Sequence, residues 1–535
     1  MFDISREQFL KIKKRLKKTW LNFFGKFGKL LESQILTIPL ILDGENVLLS
    51  ASTASGKTEA IVAPVVESIF SENLKGLSVI YISPTRALVN DLETRLKDKL
   101  EELNISLSIK TGDRPQFNPK KPSQFLITTP ESLDSLICRH PYTFKNLRVV
   151  ILDEIHLIDR TYRGDQLRIL LLRLQELTNN KFNVHILSAT IADPNELGKR
   201  YTKDFKIVRL QHKRQINYTL IANLDEIVNF IKKEVLKKIL IFCNSRKKVE
   251  ELSISWRNLN LPMEVLTHHG SLSKQYRERT EKFFKRYQYI ACIATTSLEI
   301  GIDIGNIDAV VLADIPWSVS TLLQRIGRGN RRELVNRVFA LYEGKGYKKN
   351  IFEEMFNLAI KGELEVKKYF PDLSVIVQQV FSCLFAHREG LQEQYFSKLF
   401  QDFCTTKELQ DILEHLRDLN FIEFRREKWY ATEKLMDIGE KGLIHTNIPD
   451  ETSLPVIDVV TNSKIGNVLF PIDNIFILGG RIWKIVKILP KKILVRQEKL
   501  KAYSPEFEIK MKIGRYFFYL PEYIREMIKR NLSNS

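Results

Sequence analysis

A Gly-Lys-Thr triplet between an apolar run and a helical pattern constrains this chain more than any other feature. The apolar residues Val47–Leu49 come first, the loop Ser50–Thr58 follows, and a helical pattern runs from Glu59 to Phe70. This order predicts a strand, a phosphate loop and a helix, whose backbone N–H groups and N-terminal dipole favour nucleotide phosphates. We expect Lys57 to reach the β- and γ-phosphates and the Thr58 hydroxyl to hold Mg²⁺.

The loop differs from the usual phosphate-loop pattern at two positions. Ala51 and Ala54 stand where glycines are common. The residues predicted to surround the nucleotide in this loop are Ser52, Thr53, Ala54, Ser55, Gly56, Lys57 and Thr58.

An Asp-Glu pair further along the chain supports nucleotide binding. Val149–Leu152 is typical of a buried parallel strand, and Asp153 and Glu154 follow at its C-terminal end, where open α/β sheets bind ligands. We expect Asp153 to bind Mg²⁺ and Glu154 to orient and deprotonate the attacking water. A solvated acidic turn is the alternative. It does not explain why the Asp-Glu pair follows the Lys-Thr loop at the sequence separation that the alternating strands and helices of a nucleotide-binding domain require.

Seven further segments make the chain resemble superfamily 2 helicases over about residues 20–345. In chain order they are Ser83–Leu88, Thr111–Asp113, Thr129–Ser132, Ser188–Thr190, Ile241–Arg246, Ala294–Asp303 and Gln324–Arg331. Within that superfamily, His268–Ser273, Ser297–Asp303 and the loop start Ala54–Ala60 most resemble the large helicase-related (Lhr) branch.

The resemblance implies nucleotide contacts outside the phosphate loop. Gln34 would recognise adenine, and Gly301, Asp303 and Arg325 would contact the nucleotide from a second motor domain. Arg328 and Arg331, three residues apart on one helix face, would act as arginine fingers that stabilise transition-state charge. A solvated basic helix end is the alternative, and the regular spacing of three arginines after Gln324 argues against it.

The resemblance also implies coupling and strand-contact residues. Coupling between hydrolysis and domain closure would involve His156, Ser188, Thr190 and Gln324. Strand contacts, mostly to phosphates, would come from Arg86, Thr129, Gly270 and Thr296. His156 is equally compatible with a hydrogen-bonded core histidine.

Several aromatic residues have two interpretations. Phe23, Phe24 and Phe27 precede Gln34 and either stack on the adenine or pack as core, and core packing is expected for at least two of them. Trp429 and Trp483 are candidates for base stacking, although a buried position in a small core is the commoner role of tryptophan.

The fold class expected from these patterns is α/β, with two tandem RecA-like domains, a winged helix and a small β-rich C-terminal domain. The predicted boundaries are 1–20 for a basic N-terminal helix, 21–210 and 211–365 for the RecA-like domains, 366–445 for the winged helix and 446–535 for the β-rich domain. The predicted strands of the two RecA-like domains are 47–50, 78–83, 106–110, 125–128, 148–152, 184–188, 206–210, 239–243, 263–267, 289–294, 309–313 and 337–342.

Composition is consistent with a polyanionic partner. The 535 residues carry a formal net charge of +19, from 83 Lys and Arg against 64 Asp and Glu, and a basic surface favours nucleic acid. A lysine-rich composition of the whole genome is an alternative source of this charge.

Five separated cysteines form no C-x-x-C pair, so we expect reduced thiols without a zinc or iron–sulfur centre. The absence of a long apolar run or signal sequence predicts a cytoplasmic protein with no membrane contact.

The expected function is an ATP- and Mg²⁺-dependent helicase or translocase, 3′–5′ on single-stranded DNA by resemblance, with hydrolysis coupled to closure of the RecA-like domains. Only a short segment separates Asp303 from Gln324, where some unwinding enzymes carry a long hairpin, and the β-rich segment is shorter than its Lhr counterpart. The alternative is therefore an RNA helicase, or an ATPase subunit that acts as a remodelling switch with protein partners in a larger nucleic-acid-processing or defence assembly.

Overall fold

The computed structural model describes fourteen stretches of the chain. They are residues 6–51, 55–114, 117–179, 181–189, 191–210, 215–259, 261–299, 305–329, 335–364, 369–449, 453–469, 475–489, 492–498 and 514–533. The predicted site residues Ser52, Thr53, Ala54, Thr190, Gly301, Asp303 and Arg331 lie outside them. By its internal contacts the chain forms two compact units, one of 1–211, 366–450 and 512–535, the other of 212–365 and 451–511.

Three helices open the first unit: α1 (Arg6–Arg15), α2 (Trp20–Phe24) and α3 (Glu32–Leu42). Ile12, Leu16 and Trp20 are buried in the core of the first sheet, and the Phe9 ring meets Trp20 edge-on at 5.3 Å between centroids. The lysines of α1 are exposed. The basic N-terminal segment therefore packs onto the first motor domain through its apolar face.

A seven-stranded parallel sheet is the centre of the first unit. Its strands are β1 (Val47–Ser50), β2 (Val79–Ile82), β3 (Leu107–Lys110), β4 (Phe125–Thr128), β5 (Val149–Leu152), β6 (Asn183–Ser188) and β7 (Lys206–Arg209). Its helices are α4 (Lys57–Ser71), α5 (Arg86–Glu102), α6 (Pro130–Arg139), α7 (Tyr162–Leu177) and α8 (Pro194–Tyr201). The strand order is β3-β4-β2-β5-β6-β1-β7. The central strands are buried on both faces, which explains their continuous apolar sequences.

A six-stranded parallel sheet is the centre of the second unit. Its strands are β8 (Gln215–Ile221), β9 (Lys238–Phe242), β10 (Glu264–His268), β11 (Ile290–Ala294), β12 (Ala309–Leu312) and β13 (Val335–Leu341). Its helices are α9 (Leu224–Glu234), α10 (Arg246–Arg257), α11 (Lys274–Arg286), α12 (Val319–Ile326) and α13 (Gly346–Lys361). The order is β10-β11-β9-β12-β13-β8, and all pairs are parallel.

The segment predicted as a winged helix contains three helices, a hairpin and a fourth helix. These are α14 (Ser374–Ala386), α15 (Glu393–Phe400), α16 (Thr406–Asp418), the strands β14 (Ile422–Arg425) and β15 (Lys428–Ala431), and α17 (Glu433–Glu440). Arg426 and Glu427 have φ values of 49° and 60°, as a two-residue type I′ turn requires. Helix order and hairpin agree with the winged-helix prediction.

A buried polar cluster joins α14 to the first motor domain. Arg173 Nη1 donates to Asp134 Oδ1 at 2.9 Å and to Ser382 Oγ at 2.8 Å. Burial lowers the pKa of His445, but its hydrogen bonds and charge interactions with Asp134 and Cys138 together outweigh this effect and raise that pKa to about 9. Asp134, Cys138 and His445 have the donor atoms of a metal site, but the cations next to Asp134 are Arg173 and His445. The cluster is therefore a charge-compensated joint within this unit.

A small antiparallel-rich sheet belongs to the second unit. Its strands are β16 (Ser453–Asp458), β17 (Lys464–Leu469), β18 (Ile475–Leu478), β19 (Arg481–Leu489) and β20 (Lys492–Glu498), in the order β17-β16-β20-β19-β18. Leu272, from the loop after β10, is part of its core. Backbone hydrogen bonds from Ser273 N to Ile465 O (2.9 Å) and from Asn467 N to Ser271 O (2.7 Å) attach the sheet to that loop.

The last described residues return to the first unit. A 3₁₀ turn (Arg515–Tyr519) and α18 (Glu522–Ser533) follow the small sheet in the chain. Their buried residues Tyr516, Phe517 and Ile524 lie in the core that α14 and α16 share. The prediction placed 446–535 in one β-rich domain, whereas the strands occupy 453–498 and the final helix packs on the winged helix.

The α/β fold class with two tandem RecA-like domains is confirmed, and each of the twelve predicted strands has a counterpart. The prediction did not include β8, although Ile216, Tyr218 and Leu220 alternate with polar residues as a strand requires. Among the described residues, no helix combines the length and the apolar character needed to cross a membrane.

Replacing Arg173 with Met should loosen the joint between α14 and the first motor domain. The change leaves Asp134 buried beside fewer cations, and breaking a buried ion pair costs about 3–5 kcal/mol. We expect hydrogen exchange of α14 amides to accelerate by about 10²-fold or more, because local opening becomes easier. Arg417→Met, which removes an exposed Arg–Asp contact of 3.2 Å, should leave that exchange unchanged. Equal exchange in the two variants would show that the pair does not hold α14.

Candidate functional site

The phosphate loop packs tightly against α3. Gly56 has φ +74°, and a Cβ atom there would lie 2.5 Å from Gln34 Nε2 and 2.8 Å from Leu31 Cδ1. Only glycine satisfies both the left-handed backbone and this close approach. The Ser33 hydroxyl donates to the Ser55 carbonyl, and Gln34 Oε1 accepts from Leu31 N at 2.9 Å. Gln34 is therefore held directly beside the loop, as its predicted role requires.

Lys57 is the first residue of α4 and is nearly buried. Its Nζ donates to the carbonyls of Ala51 (2.8 Å) and Ser188 (3.3 Å) and lies 3.8 Å from Glu154 Oε1. The structure thus brings the phosphate-loop lysine and the predicted water-activating carboxylate together at the carboxyl ends of β1, β5 and β6.

Asp153 and Glu154 follow β5, and Glu154 has an unusual backbone conformation. Glu154 has φ +41°, a region that non-glycine residues seldom occupy and that is common at functional sites. Burial and the neighbouring Glu154 charge raise the pKa of Asp153 to about 7, against the opposing effect of Lys57. Asp153 and Thr58 are both buried. Carboxylate and hydroxyl oxygens are hard donors of the kind that Mg²⁺ prefers, so these two side chains suit that ion.

His156 bridges the acidic pair to the end of β6. Burial lowers its pKa to about 4, so the ring is neutral near pH 7. Its Nδ1 accepts from the Ala189 backbone N–H at 3.1 Å and lies 3.3 Å from Ser188 Oγ and 3.4 Å from Glu154 Oε2. Two of the predicted coupling residues, His156 and Ser188, are therefore in contact.

The arginines on and after α12 are buried within the second unit. Arg325 Nε donates to Glu299 Oε1 at 2.5 Å and its Nη2 donates to Asn244 Oδ1 at 2.9 Å. Arg328 Nη2 donates to the Glu299 carbonyl at 2.6 Å. Arg325 thus links three motif segments and has the contacts of a positioning residue. Arg328 must exchange its Glu299 contact to meet a phosphate. Gln324, half-buried, precedes Arg325 on α12.

The predicted strand contacts of the first unit follow the carboxyl ends of β2 and β4. Arg86 is the first residue of α5, largely exposed, with Nε 3.8 Å from Asp113 Oδ1. Thr129 caps the start of α6; it is buried, and its hydroxyl donates to Ser132 Oγ at 3.3 Å. Arg86 therefore has the exposure that a phosphate contact needs, whereas the Thr129 side chain is enclosed.

The predicted strand contacts of the second unit follow β10 and β11. Gly270 and Thr296 are both exposed, and their segments are joined because Thr295 N and Ser297 Oγ donate to the His268 carbonyl at 3.1 Å each. A Cβ atom on Gly270 would meet no atom within 4 Å. This open position leaves room for a backbone to approach.

A buried glutamate that the motifs did not indicate holds this loop. Glu250 Oε1 accepts from His269 Nε2 and from Gly479 N, both at 2.7 Å, and its Oε2 accepts from Gly480 N at 2.5 Å. Tyr276 and Arg257 add hydrogen bonds to the carbonyls of the same Gly-Gly turn. The sequence does not indicate this role, because Glu250 looks like any acidic residue of an amphipathic helix. The role arises only when the small sheet packs against α10.

The aromatic candidates fall into two groups. Phe23, Phe24, Trp429 and Trp483 are buried in hydrophobic cores, so core packing is their role and the tryptophans do not present a face for base stacking. Phe27 is 67% exposed in the turn before α3. It is the one of the three phenylalanines with a free ring face for a base.

Two family models match the chain. The DEAD/DEAH box helicase model matches residues 32–197, and the helicase conserved C-terminal domain model matches residues 220–333. These ranges correspond to the seven-stranded and six-stranded sheet domains.

One curated relative and two solved structures are informative. The ATP-dependent helicase Lhr-Core of Methanocaldococcus jannaschii is 29% identical over 92% of this chain, which spans 65% of that protein's length. The helicase Lhr of Mycobacterium smegmatis, bound to single-stranded DNA and AMP-PNP, aligns over 81% of this chain and 62% of its own, with TM-score 0.68 and 23% identity. The DUF1998 helicase MrfA bound to DNA aligns over 91% and 73%, with TM-score 0.73 and 21% identity.

Replacing Glu250 with Gln should release the Gly-Gly turn between β18 and β19. The carboxylate of Glu250 accepts from His269 and from two backbone N–H groups, whereas the glutamine amide is neutral and has one acceptor oxygen. Hydrogen bonds to charged groups contribute about 1.5–3 kcal/mol each. Hydrogen exchange at Gly479 and Gly480 should accelerate by about tenfold or more. Glu251→Gln, next to it on α10 and 3.8 Å from Lys247, is the matched control. Unchanged exchange in Glu250→Gln would mean that the carboxylate does not hold the turn.

Proposed function

The chain belongs to the Lhr branch of superfamily 2 helicases, and from this premise we propose that it hydrolyses ATP in response to a nucleic-acid strand and moves along that strand. The observation that carries the proposal is the convergence of Lys57, Asp153, Glu154 and His156 at one sheet edge, with Lys57 Nζ 3.8 Å from Glu154 Oε1. The chain spans less than two thirds of the length of its Lhr-Core relative, so activity, substrate and partners are all part of the proposal.

Each residue of the site has a distinct role in ATP hydrolysis. Lys57 binds the β- and γ-phosphates by exchanging its carbonyl partners for phosphate oxygens. Glu154 orients the attacking water and accepts its proton. Gln34 contacts the adenine edge, and the exposed Phe27 ring stacks on the base. Ser55, Gly56 and the loop residues Ser52, Thr53 and Ala54 surround the phosphates.

Thr58 and Asp153 would hold Mg²⁺. The ion neutralises phosphate charge when bound. The residues themselves supply oxygen donors in a buried position, and burial and the Glu154 charge, which raise the pKa of Asp153, favour a cation beside this carboxylate.

Arg328 and Arg331, with Gly301 and Asp303, would complete the site when the two RecA-like domains close. An arginine finger from the second domain acts on ATP held by the first only in that closed state. His156, Ser188, Thr190 and Gln324 would transmit the closure, because His156 Nδ1 accepts from the Ala189 backbone N–H and lies 3.4 Å from Glu154 Oε2. Arg325 would position Arg328 through Glu299.

The proposed strand is single-stranded DNA, followed in the 3′–5′ direction. Support for DNA comes from the two solved helicases, whose structures hold DNA. Arg86, Thr129, Gly270 and Thr296 would contact phosphates, which carry no sequence information. Because phosphate contacts do not distinguish DNA from RNA, an RNA helicase or a remodelling ATPase of a larger assembly is the second candidate.

Two substitutions should separate phosphate binding from water activation. Lys57→Ala should weaken both ATP affinity and turnover, because it removes the phosphate-binding cation. Glu154→Gln should keep ATP affinity and lower turnover by about 10²-fold or more, as removal of a general base does. Binding of a fluorescent ATP analogue and steady-state hydrolysis measure the two quantities, with the exposed Glu101→Gln as control. Near-normal turnover in Glu154→Gln would remove this residue from the chemistry.

Replacing Arg328 with Ala should leave ATP binding nearly intact and abolish strand-stimulated turnover. An arginine finger contributes about 10³–10⁵ in rate, and its contact exists only in the closed state. Strand affinity should therefore lose its dependence on a non-hydrolysable ATP analogue. Arg337→Ala, which removes an exposed ion pair of 3.0 Å with Glu234, should retain the full dependence. If Arg328→Ala also retains it, this arginine does not sense the γ-phosphate.

A further inference from the structure

We propose that the outward face of α11 is a second binding site for single-stranded nucleic acid, beyond the contacts that the helicase motifs supply. This inference rests on the proposed function, because it extends the strand path of the same motor. The site consists of Arg279, Lys282, Phe283, Arg286 and Tyr287, which we call the α11 ladder.

The ladder lies along the exposed flank of α11. Thr280 and Phe284 are the buried residues of this helix, and Tyr276 donates to the Gly479 carbonyl at 2.8 Å. Beside this buried strip, the two arginines, the lysine and the tyrosine of the ladder are exposed, and Phe283, at the border of the strip, is half-buried. The four exposed side chains of the ladder are thus outside the core packing, whereas Phe283 contributes to it in part.

The aromatic side chains of the ladder form an open stack. The rings of Phe283 and Tyr287 are 5.1 Å apart with an interplanar angle of 6°, and the Arg279 guanidinium lies 5.3 Å from the Phe283 centroid. The spacing i, i+4, i+8 places all three groups on one face. Such parallel planes are platforms on which a base of any sequence stacks.

The charged side chains around this stack are mostly positive. Within the described residues, Arg279, Lys282 and Arg286 form no ion pair with a carboxylate, and Glu278, the acidic residue of this face, lies 4.0 Å from Lys274. The side chains of the face surround a shallow groove of about 610 Å³. Three cations beside two aromatic rings match the alternation of phosphate and base along a strand.

A nucleic-acid strand fits this face better than a protein does. Lysine is depleted at protein interfaces, and here Lys282 and two arginines, none of them paired with a carboxylate in the described part of the chain, surround the rings. This excess of positive charge suits a phosphate backbone. The helix also begins at Lys274, four residues after the exposed Gly270, and its axis covers about 20 Å from Lys274 to Tyr287 at 1.5 Å per residue. A strand that contacts Gly270 can therefore continue along the ladder.

Charge removal tests the phosphate contacts of the ladder. Lys282→Ala/Arg286→Ala is compared with Lys232→Ala/Lys233→Ala, an equal charge change on the exposed side of α9. Affinity for fluorescent single-stranded DNA and RNA is measured over a salt series. Two lost contacts should reduce the log–log salt slope by about 1.4 relative to the control. A slope and affinity equal to those of the control overturn the proposal.

Removal of the ring tests the stacking contact. Tyr287→Ala should weaken strand binding by about 5- to 150-fold, the range for loss of one base–aromatic stack, whereas Tyr287→Phe should bind as the wild type does. Equal affinity of Tyr287→Ala and Tyr287→Phe overturns the stacking assignment.

The design separates failure of this proposal from failure of the proposed function. If the wild type binds neither strand and its ATP hydrolysis does not respond to either, the proposed function fails. If the wild type binds a strand and all ladder variants bind it equally well, the ladder proposal alone fails, and a protein becomes the better occupant. If the ladder variants lose affinity for only one of the two strands, DNA or RNA, the result supports the ladder and identifies its sugar preference.

Discussion

The parallel arrangement of the strands is the constraint on which the site depends. Parallel strands bring all their carboxyl ends to one edge, so residues distant in sequence become neighbours there. Lys57 follows β1, Asp153 and Glu154 follow β5, and Ser188 ends β6. The carbonyls of Ala51 and Ser188 hold the Lys57 ammonium within 3.8 Å of Glu154. In the second sheet, Gly270 and Thr296 likewise follow the carboxyl ends of strands, β10 and β11.

Each of the two parallel sheets also carries an accessory domain. The chain passes from one unit to the other several times to build them. After the two sheet domains it returns to the first unit as the winged helix, then adds the small sheet to the second unit and ends again on the winged helix. The two attachments use different chemistry. Buried Arg173, Asp134 and His445 join the winged helix to its motor domain, whereas Glu250 joins the small sheet through backbone N–H groups of a Gly-Gly turn.

Much of this architecture could be predicted from local patterns. Continuous β-forming runs identify the buried parallel strands, and the Gly-Lys-Thr and Asp-Glu segments identify their functional ends. The predicted neighbours Lys57, Glu154, His156 and Ser188 do meet. The role of Gln34 beside Gly56 is compatible with the packing, and it stays a prediction, as do the other assigned roles.

The remaining features depend on long-range packing and leave no local signal. Glu250 looks like any acid of an amphipathic helix until the Gly479–Gly480 turn is placed over it. The burial of Arg325 and Arg328 against Glu299 follows from tertiary structure, as does the return of residues 514–533 to the winged helix. Burial of Trp429 and Trp483 likewise depends on small cores that their sequences do not define.

The central claim is that strand binding and ATP hydrolysis are coupled in this chain. The most direct test is the steady-state rate of ATP hydrolysis as a function of the concentration of single-stranded DNA, single-stranded RNA or duplex. The account predicts saturable stimulation by single strands, DNA above RNA, in the wild type and none in Glu154→Gln. A wild-type rate that no nucleic acid changes, with ATP bound, would contradict it.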